Sequence, residues 1–202
     1  AQRHNLLLVS NGNKIEIALG YATLYGDING VLAPLGDLTK VEIFDMAKYL
    51  NKYIFKRQVI PEILLPDADL NFTGDKLLPT AELKENQIDP MKWGYHDALI
   101  VALMSFNYSI EDVMAWYLDG TLAERLKISK EIIAKWNLYD PKVFIEDLEW
   151  VYDLLNKNTF KRIQSPPNII TSLSAFGFDF RESQVPLRKN KRFYDLKKMI
   201  LK

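Results

Sequence analysis

The sequence predicts an α/β chain weighted toward helix, and three observations carry that reading. A continuous apolar run at residues 6–9 leads straight into a Gly/Asn turn. Glycines and prolines cut the first third into short extended pieces and loops. From Asp97 onward, apolar residues recur at helical spacing between successive capping signals. With 48% apolar and 12% aromatic residues over 202 positions, the composition is that of an ordinary globular protein and suits one domain.

Taken in order, Leu6-Leu7-Leu8-Val9 is apolar at every position, as expected of a buried parallel strand. Asn11-Gly12-Asn13 is the turn, built from residues that tolerate positive φ, and a helix starts near Lys14. Residues 26–30 form a second loop and residues 31–35 a short extended segment. Asp37 is the N-cap candidate for a helix over residues 38–52, where Ile43, Phe44, Ala47 and Leu50 share one face. Residues 58–93 carry four prolines and little periodicity, which predicts a long, ordered, lid-like loop. Helix returns over residues 97–106, and Ser109 with Asp112 has the pattern of a capping box, closed by Gly120. Thr121 with Glu124, and then Ser129, open two more helices. Asp140-Pro141 sets an N-cap and an N1 proline ahead of Phe144, Leu148, Val151 and Leu155 on one face, in a helix ending near Lys161. Past Pro166-Pro167 the chain reads as irregular, and residues 187–202, with seven Lys/Arg against one Asp, as a basic tail, either a solvated segment or one that meets phosphate or a partner subunit.

The 26 basic residues balance the 26 acidic ones, so net charge gives no case for a nucleic-acid partner; any such case must be local. The absence of cysteine excludes disulfides, thiolate metal sites and Cys nucleophiles in this chain, and is compatible with a reducing compartment. The longest apolar runs, such as residues 98–104, fall far short of the roughly 20 residues a membrane span needs, so a soluble protein is expected. The first nine residues lack the pattern of a signal peptide. A polar stub running into an apolar strand suggests a piece of a longer protein.

The densest cluster of unusual residues is Ser10-Asn-Gly-Asn-Lys-Ile-Glu16, followed by Gly20-Tyr-Ala-Thr-Leu-Tyr-Gly-Asp27. Strand, Gly/Asn turn and helix in that order form a ligand site at the carboxyl end of a parallel sheet. These strings stand in register with Pro34-Leu-Gly-Asp-Leu-Thr-Lys40, Pro79-Thr-Ala-Glu-Leu83 with Asn86-Gln87 and Asp89, Tyr95, Lys161-Arg-x-Gln-x-Pro-Pro167 and Ser174-Ala-Phe-Gly177. Together they resemble the synthetase domain of NAD synthetases, specifically the glutamine-dependent branch. Any one string would be weak; the ordered set, spread over nearly the whole chain, is specific.

The resemblance implies the C-terminal portion of a Rossmann-like domain of the adenine nucleotide alpha hydrolase-like, ATP pyrophosphatase group, mostly helical in this segment. It implies that deamido-NAD's carboxylate attacks the α-phosphate of ATP, releasing pyrophosphate, and that ammonia, free or from glutamine, then displaces AMP. Such chemistry needs positioning, Mg²⁺ and cationic groups more than a covalent nucleophile, so no catalytic nucleophile is assigned. Carried over position by position, Asn11, Lys40 and Thr80 contact ATP, while Glu16, Leu24 and Lys161 contact deamido-NAD, and Glu16 is also the Mg²⁺ ligand. Asn11 stands where the family usually has Thr, and Leu24 where ammonia-dependent members have Lys, so a contact at Leu24 would run through backbone or packing. The family's Ser-Gly-Gly-x-Asp-Ser pyrophosphate loop is not in the sequence, nor is a glutaminase domain. The resemblance therefore implies a missing N-terminal portion, inactivity of this segment alone and a cytoplasmic setting; with the apolar run at residues 6–9 it also implies a homo-oligomer, while the charge balance and short apolar runs give no nucleic-acid or membrane partner.

Without the family, Glu16 is best read as complementing a helix dipole, Lys40 as a first-turn residue in solvent and Thr80 as a loop hydroxyl. Lys161 would be a dipole partner at a helix C-terminus. His4 and His96 read as surface or capping residues rather than metal ligands, and Trp116, Trp136 and Trp150 as core. The alternative from another class is a non-catalytic nucleotide-binding or dimerisation module. A GMP synthetase-like ligase is disfavoured by the Thr-Leu-Tyr-Gly-Asp and Lys-Arg-x-Gln strings.

Overall fold

In the computed structural model, residues 1–77, 89–173 and 188–202 are described. Near the N-terminus three short extended pieces run parallel, joined by isolated bridges between Val9 and Leu32 and between Ala33 and Asn168. Ser10 donates its N–H to Leu32 (2.9 Å), and Val31 donates to Leu8 (2.9 Å). No longer strand forms among the described residues. The expected buried strand at residues 6–9 is therefore corrected: Leu6 and Leu7 are 63% and 77% exposed. Among the described residues the segment is bridged at one residue only, so it has no wider sheet in which to bury its side chains.

The helices carry the core. Helix α1 (Lys14–Leu19) starts where the sequence places it, because Asn13 accepts from the N–H groups of Ile15 and Glu16 while Glu16 accepts from Asn13 in return. None of Asn11, Gly12 and Asn13 has a positive φ, so the turn uses ordinary backbone and Asn13 serves as a cap. Helix α2 (Lys40–Tyr49) is capped by Thr39 with Glu42, not by Asp37, and continues into a π turn, Leu50–Ile54. Asp37 lies buried against the Lys14 ammonium at 3.0 Å and accepts the Thr171 and Ser172 N–H groups at 2.7 and 2.6 Å. Residues 58–77 are irregular apart from a 3₁₀ turn at Glu62–Leu64, and residues 78–88 of the expected lid lie outside the described residues.

Helix α3 (Tyr95–Ile100) runs into a second π turn, Val101–Ser105. Helix α4 (Ile110–Leu118) has the expected Ser109–Asp112 capping box. Helix α5 (Leu122–Leu126) starts at Thr121 but without its side-chain bond, and α6 (Lys130–Lys135) is capped by Ser129. Helix α7 (Pro141–Lys157) opens on Asp140 and Pro141 and puts Phe144, Leu148, Val151 and Leu155 at full burial in the core. It stops four residues before Lys161, and a break at Asn158 leads into the short helix α8 (Thr159–Ile163).

The basic tail is not a solvated segment: α9 (Lys191–Ile200) packs on α4. Phe193, Leu196 and Ile200 share one helical face against the core, and the cations occupy the others, with Lys189 and Lys197 pairing with Glu149 at 3.2 and 2.8 Å. Counting charge hid that apolar stripe. His96 is also buried rather than on the surface: its Nδ1 accepts the Lys92 N–H at 3.0 Å, and Nε2 sits 3.1 Å from Asp147, which Lys92 also contacts. Of the tryptophans, Trp116 is buried, and Trp136 and Trp150 pack against the core, as expected.

Candidate functional site

The turn that follows the residue 8–10 segment leads into α1, and the first face of that helix opens on a cavity of about 650 Å³. Its walls come from three stretches far apart in sequence. Asn11 and Glu16 supply one side, the loop from Gly20 to Ile28 another, and Leu154, Asn158 and Lys161 at the α7–α8 break a third; Asp89 closes the rim.

Local physics holds each stretch in place. Gly20 has φ +58°, and a Cβ there would come within 2.4 Å of the Asn158 Cβ, so α1 can end close against the α7–α8 break because this residue has no side chain. Asn158 donates to Leu19 O at 2.6 Å. The Lys161 ammonium donates to Gly20 O (3.0 Å) and Ala22 O (2.7 Å), fastening the loop onto α8. Next to it, Arg162 is 1% exposed and donates to Ala18 O at 2.6 Å and Leu155 O at 2.5 Å, tying α1, α7 and α8 together. Burial pushes its guanidinium down to about 10. On the opposite side, Asp27 accepts the Thr23 N–H at 2.5 Å and shapes the loop tip.

Electrostatically the cavity is acidic. Glu16 is raised above the ordinary carboxylate range by burial, with Asp89 and Asp27 adding repulsion and Lys40 opposing it. Asp89 is raised for the same first reason, again opposed by Lys40. Lys40 does not line the cavity, but its charge acts on two residues that do. Its own backbone N–H donates to Asp97 at 2.7 Å.

Of the residues marked by sequence, the structure therefore brings Asn11, Glu16 and Lys161 onto one cavity, with Lys40 within electrostatic reach. Leu24 is exposed and only its neighbour Thr23 lines the wall. Thr80 and residues 174–177 lie outside the described residues. Glu16 is the N3 partner of the α1 capping box, through one oxygen at 2.9 Å, and it also lines the cavity. Lys161 stands in the last turn of the short helix α8 rather than at the end of the long helix, which stops at Lys157. Sequence reasoning gave no role to Asp27, Asp89 or Asn158, although the first two stand inside the quoted strings.

Among the described residues no group of three or more His, Asp or Glu side chains is arranged to hold a metal ion. The donor set still fits Mg²⁺, which uses one or two carboxylates and takes the remaining oxygens from water and phosphate. A larger cavity of about 730 Å³ on the far side of α2, lined by Glu42, Asp97, Ala102, Tyr108, Arg125 and Ile132 among others, contains none of the residues marked by sequence.

A turn at the end of a short parallel segment, a capped helix and polar groups gathered from distant loops thus line one cavity in a mostly helical fold. The chain belongs to the NAD synthase family, whose model matches residues 1–165. It is 31% identical over 181 residues to a glutamine-dependent NAD(+) synthetase of Synechocystis sp., covering 90% of this chain and 26% of that protein. It is 36% identical over 117 residues to an NH(3)-dependent NAD(+) synthetase of Wolinella succinogenes, covering 56% of this chain and 38% of that protein. The fold matches part of the crystal structure of a glutamine-dependent NAD(+) synthetase from Cytophaga hutchinsonii, with a TM-score of 0.56 at 16% identity, over 98% of this chain and 27% of that one. The chain thus spans about a quarter of the length of the glutamine-dependent relatives it matches. Among the described residues no helix is long and apolar enough to cross a membrane.

Proposed function

We propose that this chain supplies the deamido-NAD side of an ATP-dependent ligase that amidates deamido-NAD to NAD, acting together with residues outside this sequence. The observation that carries the reading is the convergence of Asn11, Glu16 and Lys161 on one cavity, drawn from positions 150 residues apart. The family's domain is Rossmann-like, and the three parallel segments near residues 9, 32 and 168 are read as a corner of that sheet.

On this reading the nicotinate carboxylate of deamido-NAD attacks the α-phosphate of ATP, pyrophosphate leaves, and ammonia displaces AMP from the acyl-adenylate. Lys161 and the loop carbonyls it holds orient the dinucleotide, Asn11 offers a polar contact at the turn, and Lys40 brings positive charge toward the nucleotide. Glu16, whose second carboxylate oxygen has no hydrogen bond among the described residues, would hold Mg²⁺ with Asp27 or Asp89 nearby. Bound there, the ion would offset phosphate charge and compensate the burial that, with lesser repulsion from Asp89 and Asp27, raises Glu16. Thr80 is proposed as an ATP contact on sequence register alone. The pyrophosphate-binding loop this chemistry calls for is not among the 202 residues, so the segment by itself is proposed to be inactive. The exposed apolar run at residues 6–9 supports coverage by further protein, including self-association into a homo-oligomer. A cytoplasmic setting, with glutamine or ammonia as nitrogen source, follows the family.

The test is Glu16→Gln in the longer protein that carries this chain, with kcat and melting temperature measured together. A kcat loss of about a hundredfold or more, with a small shift in melting temperature, is expected of a residue acting on charge in the transition state. Unchanged kcat with lowered stability would reduce Glu16 to its helix-capping role.

A further inference from the structure

A second charged cavity stands apart from this site, where α2 and its π turn meet the following loop. It is about 580 Å³ and, among the described residues, is lined by Lys48, Lys52, Lys56, Arg57 and Lys76 against one carboxylate, Glu62. In a chain of zero net charge this is a marked local imbalance. None of the five cations makes an ion pair among the described residues; Lys52 lies over the Tyr53 ring at 4.9 Å, and Lys76 is close enough to Asp67 for its charge to act there.

The bland account is that lysines near a helix C-terminus complement its dipole. It covers Lys48 and Lys52, which stand in the last turns, but not Arg57 or Lys76, which belong to later segments. The wall is also built rather than frayed. Asn51 accepts the N–H groups of Val59 and Ile60 at 2.9 Å each and donates to Ile60 O at 2.8 Å, while Arg57 N–H returns to Asn51 O at 3.1 Å. These four bonds fold the cationic loop back against the helix and hold the charges together in spite of their mutual repulsion.

We infer that this cavity is a binding site for a small polyphosphate-bearing anion, separate from the Glu16 cavity. Five cations against one carboxylate match a ligand of three or four negative charges better than a single phosphate, and the mixture of an arginine fork and flexible ammonium groups suits adjacent phosphoryl oxygens. The inference does not depend on the reading of the first cavity.

The test titrates inorganic tripolyphosphate into the chain by calorimetry and by amide chemical-shift mapping, with sodium sulfate at matched ionic strength as control. Saturable binding is expected, with shifts centred on residues 48–58 and a raised melting temperature that sulfate does not reproduce. Lys52→Gln combined with Arg57→Gln, both exposed positions, should weaken binding by about tenfold or more. Because repulsion is relieved, the same variant without ligand should melt no lower than the wild type. Flat titrations, shifts confined to residues 10–28, equal effects of sulfate, unchanged affinity of the double variant, or tighter binding of a single-stranded oligonucleotide through the same residues would each overturn the inference.

Discussion

Asp37→Asn is the substitution whose cost separates local from tertiary roles most sharply. As an N-cap, Asp37 would be worth about 1 kcal/mol. In the structure its carboxylate is fully buried, sits 3.0 Å from the Lys14 ammonium, and accepts from the Thr171 and Ser172 N–H groups and the Ser172 hydroxyl at 2.7, 2.6 and 2.8 Å. The amide is isosteric but removes the negative charge that faces the Lys14 ammonium, and breaking a buried pair from one side is expected to cost about 3–5 kcal/mol. At roughly 2–4 °C per kcal/mol for a chain of this size, melting should fall by roughly 6–20 °C. Urea denaturation monitored by far-ultraviolet dichroism gives the free energy, and a loss of 1 kcal/mol or less would refute the buried-pair account. Burial raises the Asp37 carboxyl, but the hydrogen bonds from Thr171, Lys14 and Ser172 outweigh it, and the net shift is downward. Its contribution is therefore complete above the unfolded value of about 3.9 and lost as pH falls through the lower folded value.

Three further outcomes follow from the packing. Phe193→Ala should cost about 3–5 kcal/mol in the same denaturation assay, because the side chain is fully buried beneath α9; a loss under about 0.5 kcal/mol would restore the solvated tail. Gly20→Ala combines positive φ with a 2.4 Å clash on Asn158 and should cost at least about 2 kcal/mol while loosening the 20–28 loop, detectable as faster amide exchange there. Burial, with the nearby Lys92 charge, holds His96 down to about 3, so its ring resonances should not titrate between about pH 5 and 8. Because the unfolded ring takes up its proton at about 6.5, the stability gained by burying it neutral is present above that pH and lost as pH falls toward the folded value; a ring titrating near pH 6.5 would contradict its burial in the neutral form.

What the sequence made legible was local. Asp140-Pro141, Ser109 with Asp112, and Ser129 begin helices through bonds to residues two or three positions on, so short motifs are sufficient to find them. Asp37 was misread because its partners lie 23, 134 and 135 residues away, and His96 because Asp147 is 51 residues on. Residues 6–9 have the composition of a central strand but one bridged neighbour, and composition carries no information about what covers a strand. The residues of the candidate cavity were legible for a different reason: ordered strings marked Asn11, Glu16 and Lys161, which line it, whereas Asn158 packs against Gly20 in a contact that no motif announces.

The central claim is that the cavity between α1, the 20–28 loop and the α7–α8 break receives deamido-NAD. The most direct measurement is a structure of the longer protein carrying this chain, bound to deamido-NAD and a non-hydrolysable ATP analogue. The account predicts the dinucleotide in the cavity with Glu16 and Lys161 among its contacts and Lys40 directed at the nucleotide. Dinucleotide bound instead in the larger cavity beside Glu42, Tyr108 and Arg125, with the Glu16 cavity filled by solvent, would contradict it.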